Sequence, residues 1–464
     1  MSQVSSVLDY QQKTESRPSY SFLKLMPLTQ LPASPNITTS GGLSSSFQIP
    51  ANSVFNWAES ELQFTYTATA CGIGANQYNV VYACGVPQIE RIQVYTNSGV
   101  VLVDLNSANN FTNFTAPLLN SESDVKSMDS GSDARKTLSG IRVSNGLQTS
   151  VATGTIAVRP GLANWFADRN YSEQSYFVRA TAAQNTAGPI IRYKIPLRMF
   201  RHTLLERDID YPTTEIYNFQ ITWANVNKIH YSCAIATSIV ENFTAPLSGH
   251  IDNLSLHMRR EDNPDIKNKL LEQARSPQGL KILCDHAWLS KLNVSTASQS
   301  YVLRVNRGNG LRLKKIYCVP YFHTETGLTA YSHSIMKTVN SFGDKVLSYN
   351  TLLNSKQEQD GLIVCSVSKM DEWREHQLLL RESQIQSSDE FQFNFAHVSD
   401  YCDKSKPLWK QQRDDGNIIQ GLDLKTDIEF MMQATTDGVD SINWYNYLIC
   451  QREISISQNG VYIS

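Results

Sequence analysis

Apolar and polar residues alternate one by one in several stretches of the chain. The clearest case places Tyr217, Phe219, Ile221 and Trp223 at every second position, with polar residues between them. Successive side chains of a β-strand point to opposite faces of the sheet, so this period of two predicts a strand with one buried face. The same alternation occurs at residues 62–68, 254–258 and 391–395. The pattern predicts a chain built mainly of antiparallel sheet.

Two short segments rich in Asn and Gly separate pairs of apolar stretches. They are residues 96–99 (TNSG) and 307–310 (RGNG). Such residues favour tight chain reversals between antiparallel strands. Each segment is predicted to close a β-hairpin, the first between residues 92–95 and 100–103 and the second between 301–305 and 311–313.

Helical signals are few. The best covers residues 264–274, where Asn263 can cap the helix, Pro264 suits its first turn, and Ile266, Leu270 and Ala274 share a face. A second candidate is residues 369–381, although its Leu-rich end could equally enter a strand. Many strands with few helices favour antiparallel sandwiches or barrels.

Two segments interrupt the strand-rich regions and are predicted to be surface loops. Residues 121–150 are rich in Ser, Gly and Asp, and residues 399–421 mix charge with Pro and Gly. The remaining strand-rich regions form two halves of similar length. The predicted division is an N-terminal arm at 1–20, a first domain at 21–246 and a second domain at 247–464.

Composition narrows the function. Among 464 residues, 41 Lys and Arg stand against 43 Asp and Glu, so the net charge of -2 gives no general attraction to nucleic acid. No apolar run approaches the roughly 20 residues that span a bilayer, and residues 1–20 lack the pattern of a signal peptide. The chain is therefore expected to be soluble and made inside the cell. Its eight cysteines include no CxxC pair and are expected to be buried, reduced thiols.

Candidate catalytic and metal-binding patterns are weak. The nine histidines include no HxH or HExxH motif, and no phosphate-binding glycine loop is present. His323 and His333 on either side of Glu325 allow a metal site, but loop or strand-end histidines are the commoner interpretation. No catalytic, cofactor-binding or metal-binding residue is therefore predicted.

Three groups of charged residues have ordinary explanations. The first runs from Glu206 to Asp210, and the second is the segment 259–262. Both are interpreted as solvated turns or interface salt bridges. The third group, Lys314 and Lys315 with the basic residues near Lys404, is too sparse for a nucleic-acid-binding stripe.

A series of strand-like segments follows in order along the chain. In the first half they are residues 47–50, 60–64, 89–99, 193–200 and 216–223, and in the second half they are residues 294–296, 301–305, 311–320, 371–373 and 391–398. In this order the segments resemble the double jelly-roll major capsid proteins of the adenovirus and tectivirus lineage, most of all those of Polinton-like viruses and virophages. The first two segments look like the opening strand pair of the first roll, residues 89–99 look like its following hairpin, and residues 193–200 and 216–223 resemble its closing elements.

The resemblance implies an all-β fold with two consecutive eight-stranded antiparallel jelly rolls, long inter-strand loops and a few short helices. It also implies a non-enzymatic subunit of a virion, which forms homotrimers of pseudo-hexagonal outline that tile an icosahedral shell. Neighbouring capsomers and minor or penton capsid proteins would be its partners, with no sequence-specific nucleic acid and no cofactor. A jelly-roll protein that binds carbohydrate or a receptor is the main alternative, and a bicupin-like enzyme is the third.

Overall fold

A computed structural model describes just over half of the chain, and the following account concerns those residues. They are 18–28, 36–37, 43–68, 77–82, 88–119, 143–144, 147–148, 175–179, 190–224, 230–234, 242–244, 249–295, 297, 299–307, 312–322, 346–358, 361–364, 397–402, 421–423, 428–436, 438 and 441–463. None of the helices in these segments is long and apolar enough to cross a membrane.

The first half forms three antiparallel sheets and a short ribbon. Sheet 1 has the order β1 (Tyr20–Leu25), β16 (Gly249–Glu261), β4 (Ser53–Ala68) and β11 (Ile190–Pro196), with β12 (Asp210–Thr213) beside β4 and β2 (Asn36–Ile37) beside β16. Sheet 2 has the order β3 (Ser44–Ile49), β13 (Tyr217–Trp223), β6 (Ile89–Thr96) and β7 (Val101–Asn106). Sheet 3 has the order β10 (Ser175–Arg179), β5 (Gln77–Tyr82), β14 (His230–Ala234) and β15 (Asn242–Thr244), and the ribbon pairs β8 (Val143–Ser144) with β9 (Leu147–Gln148).

The second half forms two antiparallel sheets. Sheet 4 has the order β17 (Leu280–Val294), β26 (Ile442–Ser457), β19 (Arg312–Phe322) and β23 (His397–Asp400), with β24 (Leu422–Asp423) beside β19 and β27 (Gly460–Ile463) beside β26. Sheet 5 has the order β18 (Ser300–Arg307), β25 (Ile428–Thr436), β20 (Val346–Leu353) and β21 (Lys356–Gln357), with β22 (Ile363–Val364) beside β20. The helices are α1 (Ala108–Leu119) and α2 (Pro264–Arg275), and the 3-10 turns are Leu197–Met199 and Leu204–Glu206.

Sheets 1 and 2 enclose the core of the first half. On β13 the alternation predicted from the sequence is confirmed, because Tyr217, Phe219, Ile221 and Trp223 are buried while the residues between them are only partly covered. Trp223 meets Phe64 of β4 edge to face, with ring centroids 5.1 Å apart. Such aromatic contacts add to the apolar burial that holds two sheets together.

Helix α2 confirms the best helical signal. It spans Pro264–Arg275, and the Asn263 side chain caps it by accepting a hydrogen bond from the backbone N–H of Asp265. The strand before it, β16, pairs with both β1 and β4. The predicted boundary between residues 246 and 247 would detach β16 from its own sheet. Strand β16 thus belongs to sheet 1 and β17 to sheet 4, with α2 between them in sequence, and the position of the domain boundary stays a prediction.

Of the two predicted hairpins, one is confirmed and one is wrong. Strands β6 and β7 pair around the turn at residues 96–99, which the Gly99 N–H closes with a hydrogen bond to the Thr96 carbonyl. Strands β18 and β19 do not pair with each other, because β18 pairs with β25 in sheet 5 and β19 with β26 in sheet 4. The proposed opening pair is also split, with β3 in sheet 2 and β4 in sheet 1. The composition of a turn predicts that the chain reverses direction there. It does not predict which strand will be the hydrogen-bonded partner, because that depends on where the apolar face of each strand is buried.

Strand β26 explains how the halves join. Its first eleven residues are all buried, so this part of sheet 4 is covered on both faces. Trp444 and Leu448 belong to the core shared with sheet 5, whereas Tyr447 and Ile449 belong to the core that continues into the first half. A single apolar core thus runs from sheet 1 to sheet 4.

Several sequence predictions lie outside the described residues. They are most of the N-terminal arm, the helix at 369–381, the strand at 391–395, most of both predicted surface loops, and the group His323, Glu325 and His333. The cysteine prediction is confirmed where it can be examined, since Cys284, Cys318, Cys402 and Cys450 are free and buried.

Candidate functional site at the junction of the two halves

A cluster of buried polar side chains lies where the first half meets sheet 4. His202 and Glu206 come from the segment after β11, Asp285 comes from β17, and Lys314 and Tyr317 come from β19. We call these five residues the joint. Buried ionisable groups are costly unless they are paired, so the joint is the strongest candidate for a specific role among the described residues.

The backbone places His202 in the joint through an unusual conformation. Its φ angle is +56°, in the left-handed region that non-glycine residues rarely adopt, and its side chain is fully buried. The next residue fixes the turn, because the Thr203 hydroxyl donates to the Phe200 carbonyl and accepts from the Leu205 N–H. The segment thereby presents His202 to the other half of the protein.

His202 is held by hydrogen bonds to two strands of sheet 4. Its Nδ1 lies 3.2 Å from Asp285 Oδ2, and its Nε2 lies 3.2 Å from the Tyr317 hydroxyl. A carboxylate only accepts, so Nδ1 carries the proton and donates to Asp285, while Nε2 accepts from Tyr317. The joint thus fixes one imidazole tautomer.

Lys314 supplies the charge that Asp285 requires. Its Nζ lies 3.0 Å from both carboxylate oxygens of Asp285, and both side chains are more than nine-tenths buried. Lys314 occupies an irregularity in the pairing of β19 with β26, where the register shifts between Leu313 and Lys315. A bulge of this kind redirects a side chain. Neighbouring Lys315 is also buried and lies 3.7 Å from Asp400.

The buried side chain of Glu206 has fewer polar and charged partners than that of Asp285. Its Oε2 accepts no hydrogen bond from the described residues, and the nearest cation is Arg201, at 3.9 Å. The backbone N–H of His202 does hydrogen-bond to the carboxyl group. The side chain is 8% exposed, so water contributes little to its solvation.

Burial shifts the ionisation of each joint residue. Burial lowers the pKa of His202 to about 4, although the nearby Asp285 carboxylate acts to raise it. Burial raises the pKa of Glu206 to about 7, although the positive charge of Arg201 acts to lower it. For Asp285, burial alone would raise the pKa, but Lys314 and the His202 hydrogen bond hold it below its usual range. Burial also raises the pKa of Tyr317, which keeps its hydroxyl protonated as a donor.

The spacing of the joint also matches a metal site, but its charges do not. His202, Glu206 and Asp285 each offer an atom within 4.8 Å of the others. The Lys314 ammonium already contacts both oxygens of Asp285, and Lys315 and Arg201 add positive charge nearby. A divalent cation would have to displace this lysine. The absence of a metal site therefore stays a prediction.

Aromatic side chains seal the joint from solvent. Phe111 of α1 lies against Tyr447 with ring centroids 4.4 Å apart, and its ring is 6.0 Å from that of His202. The contact between Phe111 and Tyr447 crosses between the halves, so the polar joint lies inside the continuous core. A fully buried imidazole has no access to a substrate, which favours a structural role over catalysis.

The sequence interpretation of the charged groups is correct only in part. Asp208 is exposed and hydrogen-bonds Asn56, as expected for a solvated turn, but Glu206 is buried in the joint. In the second group, Arg260 pairs with Asp262 at the surface, whereas Glu261 is buried and accepts from the Ser19 and Asn263 N–H groups. Sequence reasoning missed the joint altogether. The available signal was a charged residue inside an apolar strand, at Asp285 and at Lys314 and Lys315.

The bulge that carries Lys314 depends on a glycine packed against it. Gly421 has a φ angle of +94°, and a Cβ there would meet the Leu313 carbonyl oxygen and lie 2.8 Å from its carbon. We expect Gly421→Ala to lower the free energy of unfolding by about 2 kcal/mol or more, through backbone strain and this clash. Urea unfolding would measure the change. Gly361→Ala is the control, because nothing lies within 4 Å of its added carbon, and equal losses in both variants would contradict the prediction.

Comparisons with known proteins address the architecture. No protein-family model matches the sequence, and a search of curated proteins finds no match. Solved structures do match. The PBCV-1 protein VP54, fitted into a cryo-EM reconstruction of the virophage Sputnik, is 10% identical over 97% of this chain and 98% of that chain, with a TM-score of 0.52. The Faustovirus major capsid protein is 10% identical over 95% of this chain and 91% of that chain, also with a TM-score of 0.52.

The 3.5 Å cryo-EM structure of the Sputnik virophage gives a third match, with 10% identity over 97% of this chain and 88% of that chain and a TM-score of 0.52. The chain has the double jelly-roll fold of viral major capsid proteins. The predicted fold class, all-β with two jelly rolls and few helices, is confirmed. Sheets 1 and 2 lie in the first half of the chain, sheets 4 and 5 lie in the second half, and the joint lies between the halves.

Proposed function

We propose that this chain is the major capsid protein of a virus, a structural subunit without enzymatic activity. The proposal rests on how much of the chain matches a known capsid protein. More than nine-tenths of this chain matches the Faustovirus major capsid protein, and nine-tenths of that protein is matched in return. A likeness of this extent covers both halves of the chain.

In this proposal the protein forms a homotrimer of pseudo-hexagonal outline, and trimers tile an icosahedral shell. Two rolls in each of three chains give six similar blocks around one axis, which is a geometric route to a hexagonal outline. Closed threefold symmetry needs two complementary flanks on each chain. Minor and penton capsid proteins would be further partners, and the virion would be its location.

The internal packing supports this role. A shell subunit transmits load through its interior, and a core that continues from sheet 1 to sheet 4 resists rotation of one roll against the other. The division of the chain is part of the proposal. We assign residues 21–261 to the first roll and residues 280–464 to the second, with α2 as the connection.

The oligomeric state tests the function. For purified protein we expect a mass three times that of the 52.2 kDa chain by light scattering, and particles of hexagonal outline by negative-stain electron microscopy. A monodisperse monomer that binds glycans would instead favour a carbohydrate-binding or receptor-binding surface protein. Bound transition metal at stoichiometric level would favour the enzyme alternative.

A further inference from the structure

Two side chains of the joint, His202 and Glu206, would both be charged in weakly acidic water. Burial in the joint disfavours the charged form of each. Free imidazole is protonated below pH 6.5, and a free glutamate is ionised above pH 4.5. His202 and Glu206 lie four residues apart in one segment, and the His202 N–H hydrogen-bonds to the Glu206 carboxyl group. Their protonation states therefore belong to one structural unit.

The surroundings of His202 favour the neutral ring. Its side chain is 0% exposed, and it faces Asp285 on β17 and Lys314, Lys315 and Tyr317 on β19. Asp285 is already neutralised by two contacts from Lys314. A positive charge on the ring would be buried beside the ammonium groups of Lys314 and Lys315. The neutral ring, in contrast, satisfies both of its nitrogens through Asp285 and Tyr317.

The surroundings of Glu206 favour the protonated acid. Its Oε2 is buried and has no hydrogen-bond donor among the described residues, and the Arg201 guanidinium lies beyond hydrogen-bond distance, at 3.9 Å. The Asp285 carboxylate adds a like charge nearby. A buried carboxylate oxygen without a donor is costly in the charged form and much less so when neutral.

We propose that the joint is proton-balanced: when the two rolls close on each other, His202 gives up a proton and Glu206 takes one up, so weak acid neither strengthens nor weakens the junction. The exchange balances, since one proton leaves the imidazole and one arrives at the carboxyl group. Asp285 and Lys314 remain an ion pair throughout. The device makes the junction between the rolls insensitive to pH, although it contains a buried histidine.

The sign of each contribution follows from the shifts. The pKa of His202 falls from 6.5 to about 4 on folding, so its stabilising contribution is lost as pH falls through that range. The pKa of Glu206 rises from 4.5 to about 7, so its contribution is lost as pH rises through that range. The two opposite slopes overlap between pH 4.5 and 6.5 and cancel there. The lowered pKa of Asp285 has no effect in this window, because its loss begins only below 3.8.

The test separates the two groups by substitution. Glu206→Gln keeps the shape of the neutral acid but removes its titration, which leaves the His202 slope uncompensated. Relative to wild type, its unfolding equilibrium constant should rise up to about 10-fold for each pH unit between 6.5 and 4.5. His202→Asn, a residue that tolerates the left-handed backbone, should show the opposite slope. The double variant should be flat again.

Urea unfolding at pH 4.5, 5.5 and 6.5 gives the unfolding equilibrium constant of each variant. Dividing each constant by that of the wild type at the same pH removes the contributions of the other titratable groups. Glu272→Gln on the exposed face of α2 is the matched control and should give a constant ratio. A constant ratio for Glu206→Gln would overturn the proposal. A second measurement needs no variant: NMR of the His202 ring at pH 5.5 should report the neutral tautomer with Nδ1 protonated, and an imidazolium would equally overturn it.

Discussion

Phe219→Asp is expected to leave the chain unable to fold. Phe219 lies at the centre of β13 with no solvent exposure, and its ring meets that of Phe47 at 6.2 Å between centroids. Loss of a buried phenyl ring costs about 3–5 kcal/mol. A carboxylate at the same place would be buried in the apolar core, which adds several kcal/mol more. The sum is comparable with the whole stability of a domain, about 5–15 kcal/mol.

The control for this prediction is the next residue on the same strand. Gln220 points to the other face of sheet 2, where it is only partly covered and has Ser46 and Gln93 as its strand neighbours. Gln220→Asp should therefore cost about 1 kcal/mol or less. Soluble yield and circular dichroism compare the two variants. If both are equally damaged, the assignment of the two faces of β13 is wrong.

Lys314→Met is expected to lower the free energy of unfolding by about 3–5 kcal/mol, because it leaves the Asp285 carboxylate buried without its cation. The penalty should be smaller at pH 5 than at pH 8. Removal of Lys314 also removes a positive charge beside His202, so the imidazole can take up a proton in acid and pair with Asp285. Urea unfolding at the two pH values measures both effects.

A second substitution and a surface pair make this prediction specific. Asp285→Asn added to Lys314→Met should recover most of the loss, since a neutral amide still accepts from His202 Nδ1 and needs no cation. Lys281, on the same strand as Asp285, pairs with Glu453 at 2.8 Å but is 67% exposed. Lys281→Met should cost at most about 1 kcal/mol. A double variant no more stable than the single one would show that the lysine matters through packing and not charge.

The sequence predicts those parts of the fold whose cause is local. The alternation on β13 and the capped helix α2 are both set by residues within one element, and both are confirmed. Strand partners are not local. The sequence of residues 307–310 has the composition of a hairpin turn, yet β18 and β19 lie in different sheets because each pairs where its apolar face is buried.

The boundary between the two halves is a related case. Strand β16 follows the predicted boundary in sequence, but its hydrogen bonds with β1 and β4 place it in sheet 1. A change in composition marks a surface loop equally well inside a domain and between domains. Pairing across more than 200 residues, as between Tyr20 and Glu261, has no local signature.

The joint could not be predicted because its members come from three distant segments. Glu206 looks like a solvated charge beside Asp208, and Lys314 and Lys315 look like a basic dipeptide. Only the fold places them together and removes the water. The available signal was a charged residue inside an apolar strand, at Asp285 in β17 and at Lys314 and Lys315 in β19, and it did not identify their partners.

The continuous core between the rolls has a consequence for how the protein is made. Sheet 1 can close once β16 has left the ribosome, but Tyr447, which covers Phe111, is synthesised roughly 190 residues later, about 10–40 s at ordinary rates of translation. Throughout that interval the nascent first roll carries an uncovered apolar flank. Productive biogenesis then depends on keeping this flank away from the flanks of other nascent chains on the same polysome.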